Sequence, residues 1–233
     1  MRAVSSALNV CFASLLGGAA HAGETPAVLR MNLDAVSGLQ GWNARVEAVS
    51  YRGRRAVRLL PLPGREAADE SILAIVTKSD FTDGTIEVDV AGAPRTLAPP
   101  DMRGFIGMAF RVRGESDTPR FECFYLRPTN ARAADQLRRN HTVQYVSEPE
   151  FPWARLRQEA PSVYESYVDV EAGAWTHMKV SVSGTSARLF VNGAHEPCLV
   201  VNDLKQGAQR GRIALWSHSS TDGYFSRLSV ERP

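Results

Sequence analysis

Residues that could bind or transform a polar ligand are concentrated between positions 120 and 169 of the 233-residue chain. This segment combines arginines, tyrosines, a tryptophan and a histidine, whereas the flanking sequence consists mainly of short alternating strands and turns. Guanidinium and amide groups hydrogen-bond hydroxyls and carboxylates, and aromatic rings cover the apolar surfaces of a ligand. The pattern predicts a ligand site carried by loops on a rigid β framework.

We expect this site to lie on one face of a sheet, with residues 127–168 folded over it. Strand alternation places Trp216 with His218 on one face, and it places His141 with Tyr145 on one face and Gln144 on the other. The predicted lining residues are Arg111, Tyr125, Arg127, His141, Gln144, Tyr145, Trp153, Arg157, Glu165, Trp216 and His218.

Glu165 and His141 are the candidate catalytic residues if the protein is an enzyme. Glu165 would serve as the acid or base and His141 as its partner in glycosidic-bond hydrolysis. A histidine beside arginine and tyrosine also suits a polysaccharide lyase, in which arginine neutralises a uronate carboxylate and histidine or tyrosine transfers the proton. Alternatively, Arg139 and His141 pair with Glu159 or Glu165 in a buried network that only holds the loops.

A second pair of carboxylates, Glu87 and Asp89, lies in an alternating segment at 85–90. Residues two apart on one strand face are about 7 Å apart at Cα, whereas the carboxyl groups of a retaining glycosidase are about 5 Å apart. Glu87 is an alternative acid or base for an enzyme, but the pattern favours a solvated outer strand face.

The sequence requires no cofactor. It has no G-x-S-x-G elbow, no phosphate-binding glycine loop and no His/Cys set with metal-ligand spacing. Calcium held by carboxylates and carbonyls stays an open alternative.

The first 22 residues are typical of a cleavable signal peptide. Arg2 precedes a stretch of small and apolar residues, and Ala20-His21-Ala22 forms a small-x-small cleavage pattern. The sequence therefore predicts a periplasmic or secreted protein. No later apolar run is long enough to span a membrane.

Charge and length point to one domain, residues 23–233, that is not organised around nucleic acid. The chain has 27 Lys and Arg against 25 Asp and Glu, a near-balance that argues against nucleic acid or anionic membrane as the main partner. We expect a monomer. Cys123 and Cys198 either pair in the oxidising compartment or remain two separate buried thiols.

The remaining chain reads as short strands separated by turn signals. The predicted strands are 27–34, 44–50, 55–60, 71–77, 85–90, 104–113, 175–183, 186–192, 198–201, 211–218 and 224–230, with a loop around Gly38, Gly41 and Trp42. One short helix is predicted near 131–138. This arrangement is typical of an all-β, antiparallel two-sheet jelly-roll sandwich with a long inserted loop.

Several motifs in the later half resemble a secreted bacterial family with the concanavalin A-like lectin/glucanase fold. They are YLRPTN (125–130), RRNHTVQY (138–145), FPWARLR (151–157), YESYVD (164–169), ARLFVNG (187–193) and GRIALW (211–216). The resemblance covers roughly residues 75–230 and extends to laminin-G-like and 3-keto-disaccharide hydrolase-like domains. The glucanase branch carries E-x-D-x-x-E, which here reads Glu87, Asp89 and Gly92, so the last acid is missing.

The resemblance implies a glycan-related role, although most members of this family lack an assigned activity. The first hypothesis is an exported domain that binds a carbohydrate on one sheet face. The second is a glycoside hydrolase or polysaccharide lyase that acts at the same site. The third is an envelope interaction domain whose arginine-rich loop contacts another protein.

Overall fold

The computed structural model describes residues 28–67, 69–114 and 118–233. The predicted signal peptide, residues 1–22, lies outside them. The described residues form two antiparallel sheets and three short helices. None of these helices has the length and apolar character needed to cross a membrane.

The elements follow in chain order, with three helices inserted around one strand. They are β1 Val28–Met31, β2 Leu39–Trp42, β3 Ala44–Tyr51, β4 Arg54–Pro61, β5 Ser71–Val76, β6 Gly84–Pro94, β7 Ile106–Arg113, β8 Arg120–Leu126, α1 Pro128–Ala131, α2 Gln136–Asn140, β9 Val143–Glu148, α3 Trp153–Glu159, β10 Glu165–Ser166, β11 Thr176–Ser183, β12 Ser186–Val191, β13 Leu199–Val201, β14 Arg212–His218 and β15 Thr221–Glu231.

The two sheets pack face to face around one apolar core. The first sheet has the order β13-β12-β11-β6-β15-β4-β3, with β1 also paired to β15, and the second has the order β10-β9-β8-β7-β14-β5-β2. Met178, Val180 and Val182 alternate with more exposed residues along β11 and point into this core, as expected of a sheet with one solvated face. The predicted fold, an antiparallel two-sheet sandwich, is confirmed.

The second sheet differs in that its central strands are buried on both faces. Every residue of β7 from Ile106 to Val112 is buried, and β8 is buried from Phe121 to Leu126. One face meets the first sheet, and the chain segments between β8 and β10 cover part of the other. The polar segment at 120–169 therefore contains two strands of this sheet, β8 and β9, and β9 divides the inserted loop into two parts.

Two local predictions are wrong. Residues 39–42, predicted as a loop, form edge strand β2, which pairs with β5. The single helix predicted near 131–138 is replaced by α1 and α2, and a third helix follows β9. Pro128 at the start of α1 and the Asp135 side chain at the start of α2, which accepts a hydrogen bond from the backbone N of Arg138 at 2.6 Å, explain why two separate helices begin there.

Cys123 and Cys198 are separate thiols. Cys123 lies in β8 of the second sheet, whereas Cys198 lies beside β13 at the far edge of the first sheet. Burial raises the pKa of both thiols, that of Cys198 to about 11, so both act as small hydrophobic residues.

Candidate functional site

A cavity of about 500 Å³ opens on the outer face of the second sheet, the face turned away from the first sheet. Tyr125 of β8 and Trp216 of β14 form part of its floor, and Val146 and Glu148 of β9 lie beside them. The walls come from residues 101–105, from α1 and α2, and from the first turns of α3. The predicted roof over one sheet face is therefore present, with a hollow beneath it.

Tyr125 and Trp216 stack across Gly107, their common cross-strand neighbour on β7. The ring centroids are 4.6 Å apart at an interplanar angle of 24°. A side chain at position 107 would overlap the carbonyl oxygen of Phe124 and lie 2.6 Å from Tyr125 Cα, so only glycine lets the two rings meet. Because they cover each other, Tyr125 and Trp216 are only 3% and 5% exposed and offer little ring surface to a ligand.

A buried ion network lies at the side of the cavity, centred on Glu165. Arg127 donates from Nη1 to Glu165 Oε1 at 3.2 Å, and Arg157 donates from Nε to Oε2 at 3.0 Å and from Nη2 to Oε1. Arg127 also donates from Nη2 to Tyr125 Oη at 2.9 Å and to Gln144 Oε1 at 3.0 Å. Buried charges persist only when they are paired and hydrogen-bonded in this way.

His141 belongs to the same network, with its Nε2 3.4 Å from Glu165 Oε2. Burial lowers the pKa of His141, and the charges of Arg157 and Arg127 lower it further against the opposing charge of Glu165. The imidazole is therefore neutral near pH 7, with the Glu165 side chain beneath it.

The network agrees with the loop-holding alternative in one respect and differs in another. His141 pairs with Glu165, but Arg139 donates to Tyr167 Oη at 3.0 Å. Glu159 accepts from Arg155 instead, at 2.6 Å. Both oxygens of Glu165 are occupied by arginines, so this carboxylate holds the roof and does not present a free acid or base to the cavity.

Arg111, predicted to line the site, lies elsewhere. A β-bulge interrupts β7 between Phe110 and Arg113, and Arg111 adopts φ 54°. The bulge turns its side chain away from the outer face. The buried guanidinium donates to the carbonyl oxygens of Thr82, Gly184 and Gly207 at 2.6–3.0 Å.

Tyr145 and Gln144 lie on opposite faces of β9, as predicted, but His141 does not share the face of Tyr145. Strand β9 begins at Val143 and His141 caps α2, so the alternation does not extend back to His141. Tyr145 points into the core, donates its hydroxyl hydrogen to Glu122 and accepts from the backbone N of Lys205 at 2.9 Å. Gln144 faces outward but is fully buried beneath Arg127.

The other predicted lining residues do meet at the cavity. Trp153 is 46% exposed at its rim and lies beneath the Arg157 guanidinium carbon, 4.8 Å from its ring centroid. Tyr125, Arg127, His141, Trp153, Arg157, Trp216 and His218 all border the space. Glu165, Gln144, Tyr145 and Arg111 do not.

His218 is held at the junction of the floor and an outer loop. The backbone N–H of Ser220 donates to Nδ1 at 3.1 Å, so Nδ1 is the unprotonated nitrogen and Nε2–H donates to Asp69 Oδ1 at 2.8 Å. The Ser220 hydroxyl lies 2.7 Å from the same Nδ1. The Ser220 hydroxyl, the His218 imidazole and the Asp69 carboxylate thus form a hydrogen-bonded series. Both contacts between Ser220 and His218 belong to the short turn between β14 and β15 and hold that turn closed.

Several lining residues were not predicted. Asn130 in α1 is buried, and its Nδ2 donates to the His141 carbonyl at 3.2 Å. Its Oδ1 has no hydrogen-bond partner among the described residues. Arg103, Arg138, Asp101 and Glu148 also line the cavity. The sequence signal that could have identified Asn130 is its position in a helical turn that begins with Pro128, shortly after strand β8.

Glu148 is a further carboxyl group on the cavity wall. Burial raises its pKa, and the charge of Glu150 raises it further. Within residues 28–67, 69–114 and 118–233, no hydrogen bond to its carboxylate is formed. Such a group fits the description of a proton donor better than Glu165 does.

A second cavity of about 730 Å³ adjoins the first. Asp69, Asp101, Met102 and His218 border both spaces, and the second is also lined by Leu97, which is 96% exposed. The two adjoining cavities share these four lining residues, and together they are called the groove, which lies beside the turn between β14 and β15.

Glu87 and Asp89 lie on the other sheet, away from this groove. Asp89 is buried, which contradicts the predicted solvated face, and accepts from Arg54 at 2.8 Å and Arg227 at 2.5 Å, with His177 Nδ1 at 2.9 Å. In the part of the chain that the structure describes, no group of three or more His, Cys, Asp or Glu side chains is arranged to hold a metal ion.

Solved structures of other proteins share this fold at low sequence identity. A Bacillus subtilis protein of unknown function with a galectin-like fold has a TM-score of 0.59 and 12% identity, covering 88% of this chain and 94% of that one. The carbohydrate-binding module CBM66 from Bacillus subtilis has a TM-score of 0.53 and 12% identity, covering 83% and 95%. The exoplasmic/lumenal domain of VIP36 with Ca²⁺ and Man bound has a TM-score of 0.58 and 10% identity, covering 88% and 89%.

No protein-family model and no curated protein matches the sequence. The structural neighbours therefore establish the fold rather than an activity. Together with the two antiparallel sheets and their order, they show that this chain has the concanavalin A-like lectin/glucanase fold.

Proposed function

We propose that this protein is an exported carbohydrate-binding domain, periplasmic or secreted, and that its ligand occupies the cavity on the outer face of the second sheet. The observation that carries the proposal is a roofed polar cavity whose wall presents unpaired hydrogen-bonding groups. Its volume of about 500 Å³ falls within the range of about 300–1,000 Å³ that is usual for small-ligand sites.

The unpaired groups match the chemistry of sugar hydroxyls. Asn130 Oδ1 is an acceptor without a donor in the described part of the chain, but it exposes almost no surface. The guanidinium of Arg138, which is also unpaired within the described residues, borders the cavity and can donate to a ligand hydroxyl. Arg138 and Arg103 add donors, and the exposed ring of Trp153 adds an apolar surface at the rim.

The fold supports the same proposal at a coarser level. CBM66 is a carbohydrate-binding module, and the VIP36 domain has been solved with Ca²⁺ and Man. The same fold carries many functions, so this likeness adds to the argument from the cavity and does not replace it.

Binding can be tested with a glycan array followed by calorimetry on the best saccharide. Trp153→Ala removes the exposed ring at the rim and should weaken binding about tenfold, the usual effect of losing one buried-face aromatic contact. Leu137→Ala is the matched control, because Leu137 is an exposed apolar residue on α2 that does not border the cavity. The proposal fails if no saccharide binds more tightly than millimolar, or if the two variants behave alike.

Glycosidic-bond hydrolysis is a second candidate function, favoured by Glu148. Its raised pKa and its place on the cavity wall suit a general acid, and Asp101 is a second carboxylate at the same cavity. Incubation with oligosaccharide panels should then yield products that are lost in Glu148→Gln and retained in Glu150→Gln. Absence of turnover on every panel would leave the binding proposal alone.

A further inference from the structure

We infer that the saccharide held in this cavity is acidic, and that its carboxylate or sulfate group lies between the guanidinium groups of Arg103 and Arg138. The inference rests on the proposed function, since it specifies which sugars the cavity takes. It follows from an excess of positive charge on one wall that the protein does not neutralise with its own side chains.

The buried network is the first source of that excess. Arg127 and Arg157 share one carboxylate, that of Glu165. His141 cannot supply a second negative charge, because an imidazole is either neutral or positively charged. Two guanidinium charges therefore share one carboxylate, and the network keeps one positive charge without a counterion of its own.

Arg103 and Arg138 are the second source. Arg103 Nη1 donates only to the carbonyl oxygens of Pro100 and Met102, both at 3.2 Å. The guanidinium of Arg138 forms no hydrogen bond or ion pair with any residue in the described ranges, although its backbone N–H donates to the Asp135 side chain that caps α2. Both side chains nevertheless border the cavity.

These positive groups are close enough to repel one another. Burial lowers the pKa of Arg103, and the charges of Arg138 and Arg127 lower it further, with Asp101 opposing them. Like charges held together at a partly desolvated wall favour the binding of an anion. Guanidinium groups pair with planar carboxylates and with sulfate-like oxyanions through two parallel hydrogen bonds.

The acidic residues of the lining are engaged elsewhere. Glu70 accepts from Arg65 at 2.8 Å and from Asn43 at 3.1 Å, and Asp69 accepts from His218. Glu148 lies on β9 beside the floor of the cavity rather than on the wall that carries Arg103 and Arg138. Asp101 alone opposes Arg103, so the wall formed by Arg103, Arg127 and Arg138 stays net positive.

The experiment compares a uronate-containing oligosaccharide with its carboxyl-reduced neutral counterpart by calorimetry on the full chain, and adds a sulfated neutral oligosaccharide and inorganic sulfate as further probes. We expect the uronate or the sulfated sugar to bind at least about tenfold more tightly than the neutral one, with a preference that decreases as salt is added. Arg103→Gln and Arg138→Gln should each reduce that preference about tenfold, because they should weaken binding of the acidic sugar more than binding of the neutral one. Arg188→Gln, an exposed position on β12 of the other sheet, is the matched control.

The outcomes separate this inference from the proposed function. Equal affinity for the acidic and neutral sugars overturns the charge inference and leaves the binding proposal standing. Absence of binding to all sugars overturns both. Inorganic sulfate that binds as tightly as the saccharides also overturns the inference, because the anion alone would then be the ligand.

Discussion

Glu165 is of the residue type expected for a catalytic acid or base, but its environment is that of a structural residue. It lies near histidine and arginine in sequence and in space, as a general acid or base would. Its environment decides otherwise, because Arg127 and Arg157 donate to both of its oxygens. The sequence suggested that Glu165 and His141 act together, but it could not show that arginines would neutralise the Glu165 carboxylate.

Replacing Glu165 with Gln should destabilise the fold strongly. The Arg127 side chain is almost fully buried, and it would then carry a charge without a counterion, so we expect a loss of about 3 kcal/mol in the free energy of unfolding. Urea denaturation of Glu165→Gln and of Glu159→Gln measures the difference. Glu159 forms only an exposed pair with Arg155, so its loss should cost about 0.5 kcal/mol or less. Equal midpoints for the two variants would contradict the structural role.

His218 predicts how stability changes with pH. Burial lowers its pKa in the folded protein, against the opposing effect of Asp69, whereas the unfolded chain has a pKa of about 6.5. Protonation therefore favours the unfolded state, and the stabilising contribution is present above that pH and lost as the pH falls below it. As the pH is lowered from neutral to mildly acidic, the free energy of unfolding should decrease less for His218→Gln than for the unaltered protein. Urea titrations of both proteins at each pH measure this difference. An identical pH dependence in both proteins would show that His218 does not carry the effect.

At the scale of elements, regular alternation was predictable and its interruptions were not. The strands β4, β5, β11 and β12 lie within a residue of their predicted bounds. The residues of β11 and β12 alternate between buried and more exposed positions, β5 is a nearly continuous apolar run, and a turn at Gly53 precedes β4. The bulge at Arg111 and the start of β9 after His141 break that period. The bulge turns Arg111 away from the outer face, because a one-residue shift reverses the face of a side chain. The late start of β9 leaves His141 outside the strand, so alternation does not place it beside Tyr145.

Gly107 makes the clearest prediction about an element. Gly107→Ala places a Cβ against the backbone of β8, which cannot move without separating the two strands, so we expect a loss of about 2–3 kcal/mol. Gly193→Ala is the control: it has a left-handed φ of 74° but open space around it, and should cost about 1 kcal/mol. Thermal denaturation of both variants tests the order. A smaller loss at position 107 than at position 193 would show that the Tyr125–Trp216 floor tolerates spreading.

At the scale of the whole molecule, the sandwich followed from composition and periodicity, whereas the groove depends on contacts distant in sequence. Residues 69–71, 97–105, 125–157 and 216–222 converge on it from separate parts of the chain. Asp69 meets His218 only because β5 pairs with β14. No local sequence pattern predicts the contact between Asp69 and His218. The sequence therefore predicted the floor and the roof of the site but not the outer wall that includes Asp69.

The adjacency of the two cavities predicts that the ligand is a chain rather than a single sugar. Because Asp101 and Met102 border both spaces, we expect an oligosaccharide seated in the first cavity to extend into the second. Affinity should therefore rise with chain length in a calorimetric series and then level off once the groove is filled. Leu97→Asp removes an apolar contact in the second cavity only, and should weaken the longer oligosaccharides about tenfold while leaving a disaccharide unaffected. An affinity independent of length, or equal loss for short and long ligands, would confine the binding site to the first cavity.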